Sequence, residues 1–181
     1  MISRSVASAS RILEVLEEEP DIVDPANAVM EVKDGEIEFR NVNFKYEDDS
    51  EENNLENINI KIKAGETVGI IGSTGSGKTS LVQLIPRLYD ATNGEVFVGG
   101  RNVKEYNIEA LRNSVAMVLQ KNTLFSGTIA ENLRWGNAEA TEAQIEAAAS
   151  SSCVDEFIDR LPGRYDMHIE QGGVNVSGGQ K

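Results

Sequence analysis

The sequence predicts an α/β chain written in three successive styles: an antiparallel β portion, a strand–loop–helix core, and an all-helical portion. Three observations carry this. Apolar residues recur with a period of two between residues 37 and 62. A short apolar run at 67–71 leads into Gly72-Ser73-Thr74-Gly75-Ser76-Gly77-Lys78-Thr79 and then into a helical pattern. Beyond Gln120 the spacing is helical almost to the end.

Residues 1–19 read as a helix. Ile2, Val6, Ile12, Leu13, Val15 and Leu16 form a rough apolar stripe, and Glu17, Glu18 and Glu19 close it before Pro20. Pro20 and Pro25 flank a short acidic linker, so 1–30 is set apart as a helix and linker. From Gly35 the period changes. Ile37, Phe39, Val42 and Phe44 predict a strand with a slip near Asn41 that marks a bulge. Residues 47–54 form an acidic, polar loop. Ile58, Ile60 and Ile62 alternate with Asn59, Lys61 and Lys63 as a second strand, and Ala64-Gly65-Glu66 is a turn.

Residues 67–71 predict a buried strand, because both faces of the run are apolar. Residues 77–89 predict a helix with Leu81, Leu84, Ile85 and Leu88 on one face, kinked or frayed at Pro86. Asn93-Gly94 is a turn, 95–98 a strand, and Gly99-Gly100 another turn. A short helix at 108–113 precedes a further buried strand at 115–119. Helices follow at 128–134, 141–151 and 154–161, and Thr141 with Gln144 forms a capping box. The expected divisions are 1–30, 31–120 and 121–181.

Composition removes several function classes. Asp and Glu number 30 against 17 Lys and Arg, a net charge of −13, which argues against a general nucleic-acid binder. No apolar run approaches the roughly 18 residues that span a bilayer, and the first ten residues carry no signal pattern. The single cysteine, Cys153, forms no internal disulfide and fits a reducing, cytoplasmic setting. It is expected to be a small buried or half-buried hydrophobe.

Residues 72–79 match G-x-x-x-x-G-K-[ST] in full. Glycines at 72, 75 and 77 let the backbone turn tightly and aim N–H groups at phosphate oxygens. The loop leads into a helix N-terminus, whose partial positive charge favours an anion. Lys78 is placed to reach the β- and γ-phosphates, and the Thr79 hydroxyl to ligate Mg²⁺. Ser73, Thr74, Ser76 and, just past the loop, Ser80 complete the set of residues expected to bind the nucleotide.

Three further landmarks surround this loop: Tyr46 before it, Gln120 after it, and Val176-Ser177-Gly178-Gly179-Gln180 near the end. In this order they resemble the nucleotide-binding domain of ATP-binding-cassette (ABC) transporters over residues 31–181. The segments Lys121-Asn122-Thr123-Leu124-Phe125-Ser126-Gly127-Thr128-Ile129 and Glu131-Asn132-Leu133-Arg134-Trp135-Gly136 look like the exporter, multidrug-type subfamily.

The resemblance implies a P-loop NTPase (ABC ATPase) core with an antiparallel β subdomain, a partly built parallel sheet and a helical subdomain from Lys121, incomplete at its C-terminus. It implies ATP and Mg²⁺ as cofactors and a transport ATPase that couples ATP binding and hydrolysis to substrate efflux. Tyr46 would stack on adenine. Lys78 and Gln120 would serve catalysis, with Thr79 and Gln120 on the metal. Ser177, Gly178, Gly179 and Gln180 match the signature segment, with Val176 where leucine is usual. That segment would bind the γ-phosphate of ATP held by a second nucleotide-binding domain, homo- or heterodimeric and head-to-tail. Glu170 would either meet the coupling helix of a transmembrane domain or be a solvated loop carboxylate. Leu124, Phe125 and Trp135 would either form a docking surface for that helix or pack in the core of the helical subdomain. The resemblance places the domain at the cytoplasmic face of the membrane, with the helix at 1–19 the end of the last transmembrane segment.

The family pattern continues past the signature with the Walker B aspartate, the catalytic glutamate and a switch histidine, none of which lies in these 181 residues. The expectations are slow hydrolysis by this chain, an unsatisfied sheet edge and exposed apolar surface. His168, the one histidine, lies before the signature and does not match the switch histidine. The acidic run at 47–52 lacks the order of ligands of a calcium loop. Two other readings share these motifs: a non-catalytic, degenerate-site subunit of a heterodimeric exporter, and a soluble ABC-type ATPase. The first differs in the residue after the Walker B aspartate; the exporter-like segments and the negative charge disfavour the second.

Overall fold

A computed structural model describes residues 2–47 and 52–181, in two compact units, Met1–Ala116 and Met117–Lys181. Much of the acidic loop at 47–54 therefore lies outside the described residues.

The first unit opens with helix α1 (Ile2–Leu16). Its ridge residues Ile12, Leu13, Val15 and Leu16 are all exposed. The sheet of this unit has the order β2-β1-β3-β4, from β1 (Ile37–Phe44), β2 (Leu55–Ile62), β3 (Asn93–Val98) and β4 (Arg101–Asn102), every pairing antiparallel. The expected bulge is present. The register of β1 shifts between Phe39 and Val42 against β2 and between Arg40 and Asn43 against β3, and Asn41 sits at φ 49°. The extra residue re-phases the strand, so that Phe39, Val42 and Phe44 all point inward although 39 and 42 differ by three. The Asn59 side chain accepts from the Asn41 N–H at 2.9 Å, which holds the bulge.

Helix α2 (Lys78–Gln83) packs Leu81 beside Leu84 into the core formed by Phe39, Val42, Phe44, Val96, Val98, Tyr106 and Leu111. Tyr106 is buried and donates its hydroxyl to the Val98 carbonyl at 2.8 Å, so its polar end is satisfied. Helix α3 (Ile108–Ser114) is capped by the Asn107 side chain, which accepts from the Ala110 N–H.

Four expectations change. Helix α2 ends at Gln83 rather than near 89. Pro86 has no N–H and its ring excludes the carbonyl of Val82, so the chain leaves the helix just ahead of it. Arg87 at φ 52° closes the end: its N–H reaches the Leu84 carbonyl, and the Leu88 N–H reaches the Gln83 carbonyl, the paired bonds of a Schellman ending. Asn93-Gly94 lies inside β3, at the bulge, rather than in a turn. Residues 67–71 and 115–119 form no strand, and no parallel sheet stands among the described residues beyond one bridge, Val29 to Tyr106. Ile71 is 98% and Val118 90% exposed. An apolar run becomes a buried strand only where a neighbour supplies hydrogen bonds and cover. The expectation of exposed apolar surface is met at these residues.

The second unit holds strands β5 (Gly127–Thr128) and β6 (His168–Ile169), paired antiparallel, and helices α4 (Ile129–Arg134), α5 (Glu142–Ser151) and α6 (Asp155–Ile158). Its core is Ile129, Ala149, Ile158 and Ile169 with Leu124, Phe157, Leu161 and Val176 against it. The capping box of Thr141 and Gln144 forms as expected, and Thr128 with Glu131 makes a second. Cys153 is exposed at φ 58°, contrary to the buried hydrophobe expected. It follows the end of α5, where the turn into α6 takes its side chain out of the core. His168 lies on β6, with its Nε2 3.3 Å from the Ser126 hydroxyl.

Candidate functional site

The loop 72–79 is held by glycines and one lysine. Gly75 and Gly77 sit at φ 82° and 80°, left-handed values that favour glycine. A Cβ on Gly77 would lie 2.6 Å from the Asn54 carbonyl oxygen and 2.7 Å from Leu55 Cδ2, so the β-sheet itself leaves no room for a side chain there. A Cβ on Gly72 would meet the Ser76 hydroxyl at 2.5 Å.

The Lys78 ammonium donates to the Gly72 carbonyl at 2.8 Å, the Ser73 carbonyl at 2.7 Å and the Ser76 hydroxyl at 3.3 Å. Three donors thus meet three loop oxygens, which bends the side chain back over its own loop. Those oxygens stand where a ligand's anionic oxygens would compete for the same ammonium. Gly77 carries no side chain to cap α2, so the first N–H groups of the helix receive no side-chain acceptor. Thr79 lies in the first turn of α2 and Ser80 is buried beneath it. Ser73 and Thr74 complete an exposed loop. A cation ringed by neutral oxygens, beside uncapped N–H groups, has the donor set an oligophosphate requires.

Tyr46 is brought to this helix. Its hydroxyl lies 2.9 Å from the Ser80 hydroxyl and donates to Gln83 Oε1 at 3.1 Å. Its ring meets Phe44 edge-on at 4.8 Å and Tyr89 edge-on at 5.1 Å, and the residue stays 48% exposed. Sequence reasoning missed Tyr89. Its signal was the aromatic left over after the helical stripe ends at Pro86.

Gln120 and residues 177–180 belong to the second unit. Gln120 stands exposed in an irregular segment, not at a strand end. Ser177, Gly178 and Gly179 are exposed in a turn. The Ser177 N–H donates to Gln180 Oε1 at 2.8 Å, and the Gln180 N–H to the Ser177 carbonyl at 3.0 Å. This is the return half of a capping box, formed at the entrance to a helical turn. Lys181 donates to the Gly172 carbonyl at 2.7 Å.

The other surface residues divide. Leu124 packs on the core of the second unit, whereas Phe125 and Trp135 stack at 4.7 Å and are 52% and 71% exposed. Asn132, unnoticed in the sequence, fixes that turn: it accepts from the Phe125 N–H and donates to the carbonyls of Phe125 and Thr128. Glu170 is exposed, and its N–H donates to Asn175 Oδ1 at 3.0 Å.

Fold and loop together define the class: a P-loop nucleotide-binding chain. The family model for ABC transporters matches residues 55–181. The chain belongs to the ABC transporter family. It is 41% identical over 182 residues to the multidrug export ATP-binding/permease protein YgaD of Bacillus subtilis (strain 168), covering 99% of this chain and 31% of YgaD. A multidrug export ATP-binding/permease protein of Staphylococcus aureus (strain NCTC 8325 / PS 47) is 39% identical over 171 residues, covering 94% and 29%. A bacterial Atm1-family ABC exporter solved with ATP bound superposes at a TM-score of 0.90 and 29% identity, over 99% of this chain and 31% of that one. The chain thus spans about a third of the length of these relatives. No helix among the described residues is long and apolar enough to cross a membrane.

Proposed function

We propose that this chain is the ATP-binding portion of an ABC exporter, and that the parent protein couples ATP binding and hydrolysis to export of a substrate across a membrane. The observation that supports it best is the loop at 72–79, where Lys78 is ringed by oxygens and α2 begins uncapped. ATP exchanges those neutral oxygens for phosphate oxygens. Lys78, with the loop N–H groups of Gly72, Ser73, Thr74, Gly75, Ser76 and Gly77, binds and orients the phosphates, and Tyr46 offers its ring to adenine.

Thr79 and Gln120 would hold Mg²⁺, which supplies charge neutralisation on the phosphates when bound. Both carry neutral oxygens of the kind that ion accepts. Ser177, Gly178, Gly179 and Gln180 complete the ATP site of a second nucleotide-binding domain. Phe125, Trp135 and Glu170 face the coupling helices of the transmembrane domain, on the cytoplasmic side. Residues 1–30 join that domain to 31–120, and 121–181 form the helical subdomain.

Titration of the purified chain with ATP and Mg²⁺, followed by calorimetry, tests the site. Wild type binds, and Lys78→Ala loses at least about tenfold in affinity, as expected when a charge-assisted contact is removed. Equal affinity of the two overturns the assignment.

A further inference from the structure

We infer that Asp24 and Arg87 form a latch by which the linker after α1 positions the P-loop helix, so that linker and nucleotide are energetically coupled. The inference rests on the P-loop reading above. Arg87 is the one charged residue that is buried among the described residues, at 5% exposure. Its Nε and Nη2 donate to the two carboxylate oxygens of Asp90, at 2.9 and 3.2 Å. That pairing already balances its charge. Its third arm, Nη1, reaches out of the pair to the carbonyl of Val23 in the linker, at 3.3 Å.

The next linker residue leads back by another route. The Asp24 carboxylate accepts from the Ile108 N–H at 2.7 Å and from the Asn107 side chain, at the start of α3. From α3, Arg112 donates to the carbonyls of Pro86 and Arg87, at 3.3 and 2.9 Å. These are carbonyls just past the end of α2, which the Schellman bonds leave open. The circuit therefore closes: Val23 and Asp24, α3, Arg112, the end of α2, Arg87, and Val23 again. Val29 fastens the far end of the linker, donating to the Glu105 carbonyl and accepting from the Asn107 N–H, both at 2.9 Å.

Helix α2 has six residues, a rod of about 9 Å with Lys78 at one end and the Arg87 turn just past the other. The Arg87 turn is tied back to that rod by its own N–H on the Leu84 carbonyl and the Leu88 N–H on the Gln83 carbonyl, and a shift of the linker at Val23 and Asp24 is carried through these bonds toward Lys78 and Thr79. Arg87 and Asp24 are positioning residues: they touch no ligand and act through α2. Linkage makes the coupling reciprocal, so nucleotide tightens the linker by the factor that the linker tightens nucleotide.

The test uses the 181-residue chain with ATP and Mg²⁺, titrated well below each variant's melting temperature. Asp24→Ala removes the exposed half of the latch and leaves buried Arg87 paired with Asp90. It is expected to weaken ATP binding about three- to tenfold. Asp24→Asn, which keeps an acceptor for the Ile108 N–H, restores most of the affinity. ATP slows hydrogen exchange of the Ile108 amide in wild type and not in Asp24→Ala. A folded Asp24→Ala chain that melts lower but binds ATP as wild type does overturns the latch and leaves a structural role. If Lys78→Ala loses binding while Asp24→Ala does not, the latch alone fails. If wild type binds no ATP, the P-loop reading fails and the latch with it.

Discussion

Two glycine-containing turns in this chain expose backbone N–H groups, and they are built on opposite principles. In the turn at 72–79 the glycines answer to the chain's own structure. Gly75 and Gly77 lie at positive φ, and a side chain at Gly77 would run into Asn54 and Leu55 on the adjoining strand. In the turn at 177–180 they do not. Gly178 and Gly179 lie outside the left-handed region, and nothing stands within 4 Å of where a Cβ would be. Side-chain chemistry, Gln180 reaching back to Ser177, shapes that turn instead. The first turn is fixed by sterics at Gly77 together with the Lys78 ammonium on its oxygens, and the second by one amide. Glycine at 77 is a demand of folding, whereas no neighbouring atom requires glycine at 178 or 179.

The largest effect that separates them is Gly77→Ala. The new methyl must adopt φ near 80° and displace the Asn54 carbonyl or the Leu55 side chain, which is buried at 6% exposure. Left-handed strain and backbone overlap together cost about 2–3 kcal/mol. The melting temperature falls by roughly 5–10 °C for a chain of this size. A thermal scan in which Gly77→Ala melts with wild type would break the steric account of the first turn.

How far each turn was legible in the sequence follows from the same distinction. Gly72 to Thr79 was readable outright, because a steric demand leaves glycines at fixed spacing. The bulge in β1 was readable for a similar reason, since Phe39 and Val42 keep the core phase only with one extra residue between them. Residues 67–71 and 115–119 were not, because apolar runs report a tendency to be covered and not whether a neighbour covers them. The end of helix α2 was legible in part: Pro86 marks where the helix must stop, but the closing left-handed turn at Arg87 is one that no propensity predicts. Tyr89 and the Asp24–Arg112–Arg87 circuit were hidden because they join residues far apart in the chain, by single hydrogen bonds or ring edges that leave no period behind, and Asn132 because its bonds to Phe125 and Thr128, though local, follow no repeating pattern.

An intermediate effect sharpens the comparison within the second unit, which uses the same return bond three times, at Thr128–Glu131, Thr141–Gln144 and Ser177–Gln180. At Thr128–Glu131 the acceptor is a carboxylate, and at Ser177–Gln180 a neutral amide. The Thr128 N–H at 2.7 Å, then the Thr128 hydroxyl, holds the Glu131 pKa below its ordinary value of 4.5. A depressed carboxylate stabilises the fold above its unfolded pKa and loses that contribution as pH falls through the folded one. The α4 end should therefore loosen below about pH 4.5 while the 177–180 turn keeps its bond. Amide exchange at Thr128 against Ser177, the two N–H groups that donate these bonds, across acid pH reads this. Glu131→Gln is expected to remove the acid dependence at α4, and an unchanged profile in that variant would assign the loosening elsewhere.

The smallest effect on stability is the one that separates folding from recognition most cleanly. Gly178→Ala adds a methyl where the φ is ordinary and the space is open. A methyl that meets no atom creates no overlap, and restricting the unfolded chain offsets what little solvent exposure costs, so the melting temperature should stay within about 1–2 °C of wild type. If glycine at 178 instead serves a ligand or partner that approaches the bare backbone, the same variant should weaken that association while leaving the fold intact. Paired measurements on Gly77→Ala and Gly178→Ala, melting and then association of two chains in ATP and Mg²⁺, set the turns side by side. A large fall in melting temperature for Gly178→Ala would mean that this turn, too, is held by sterics, and the distinction between the two would not stand.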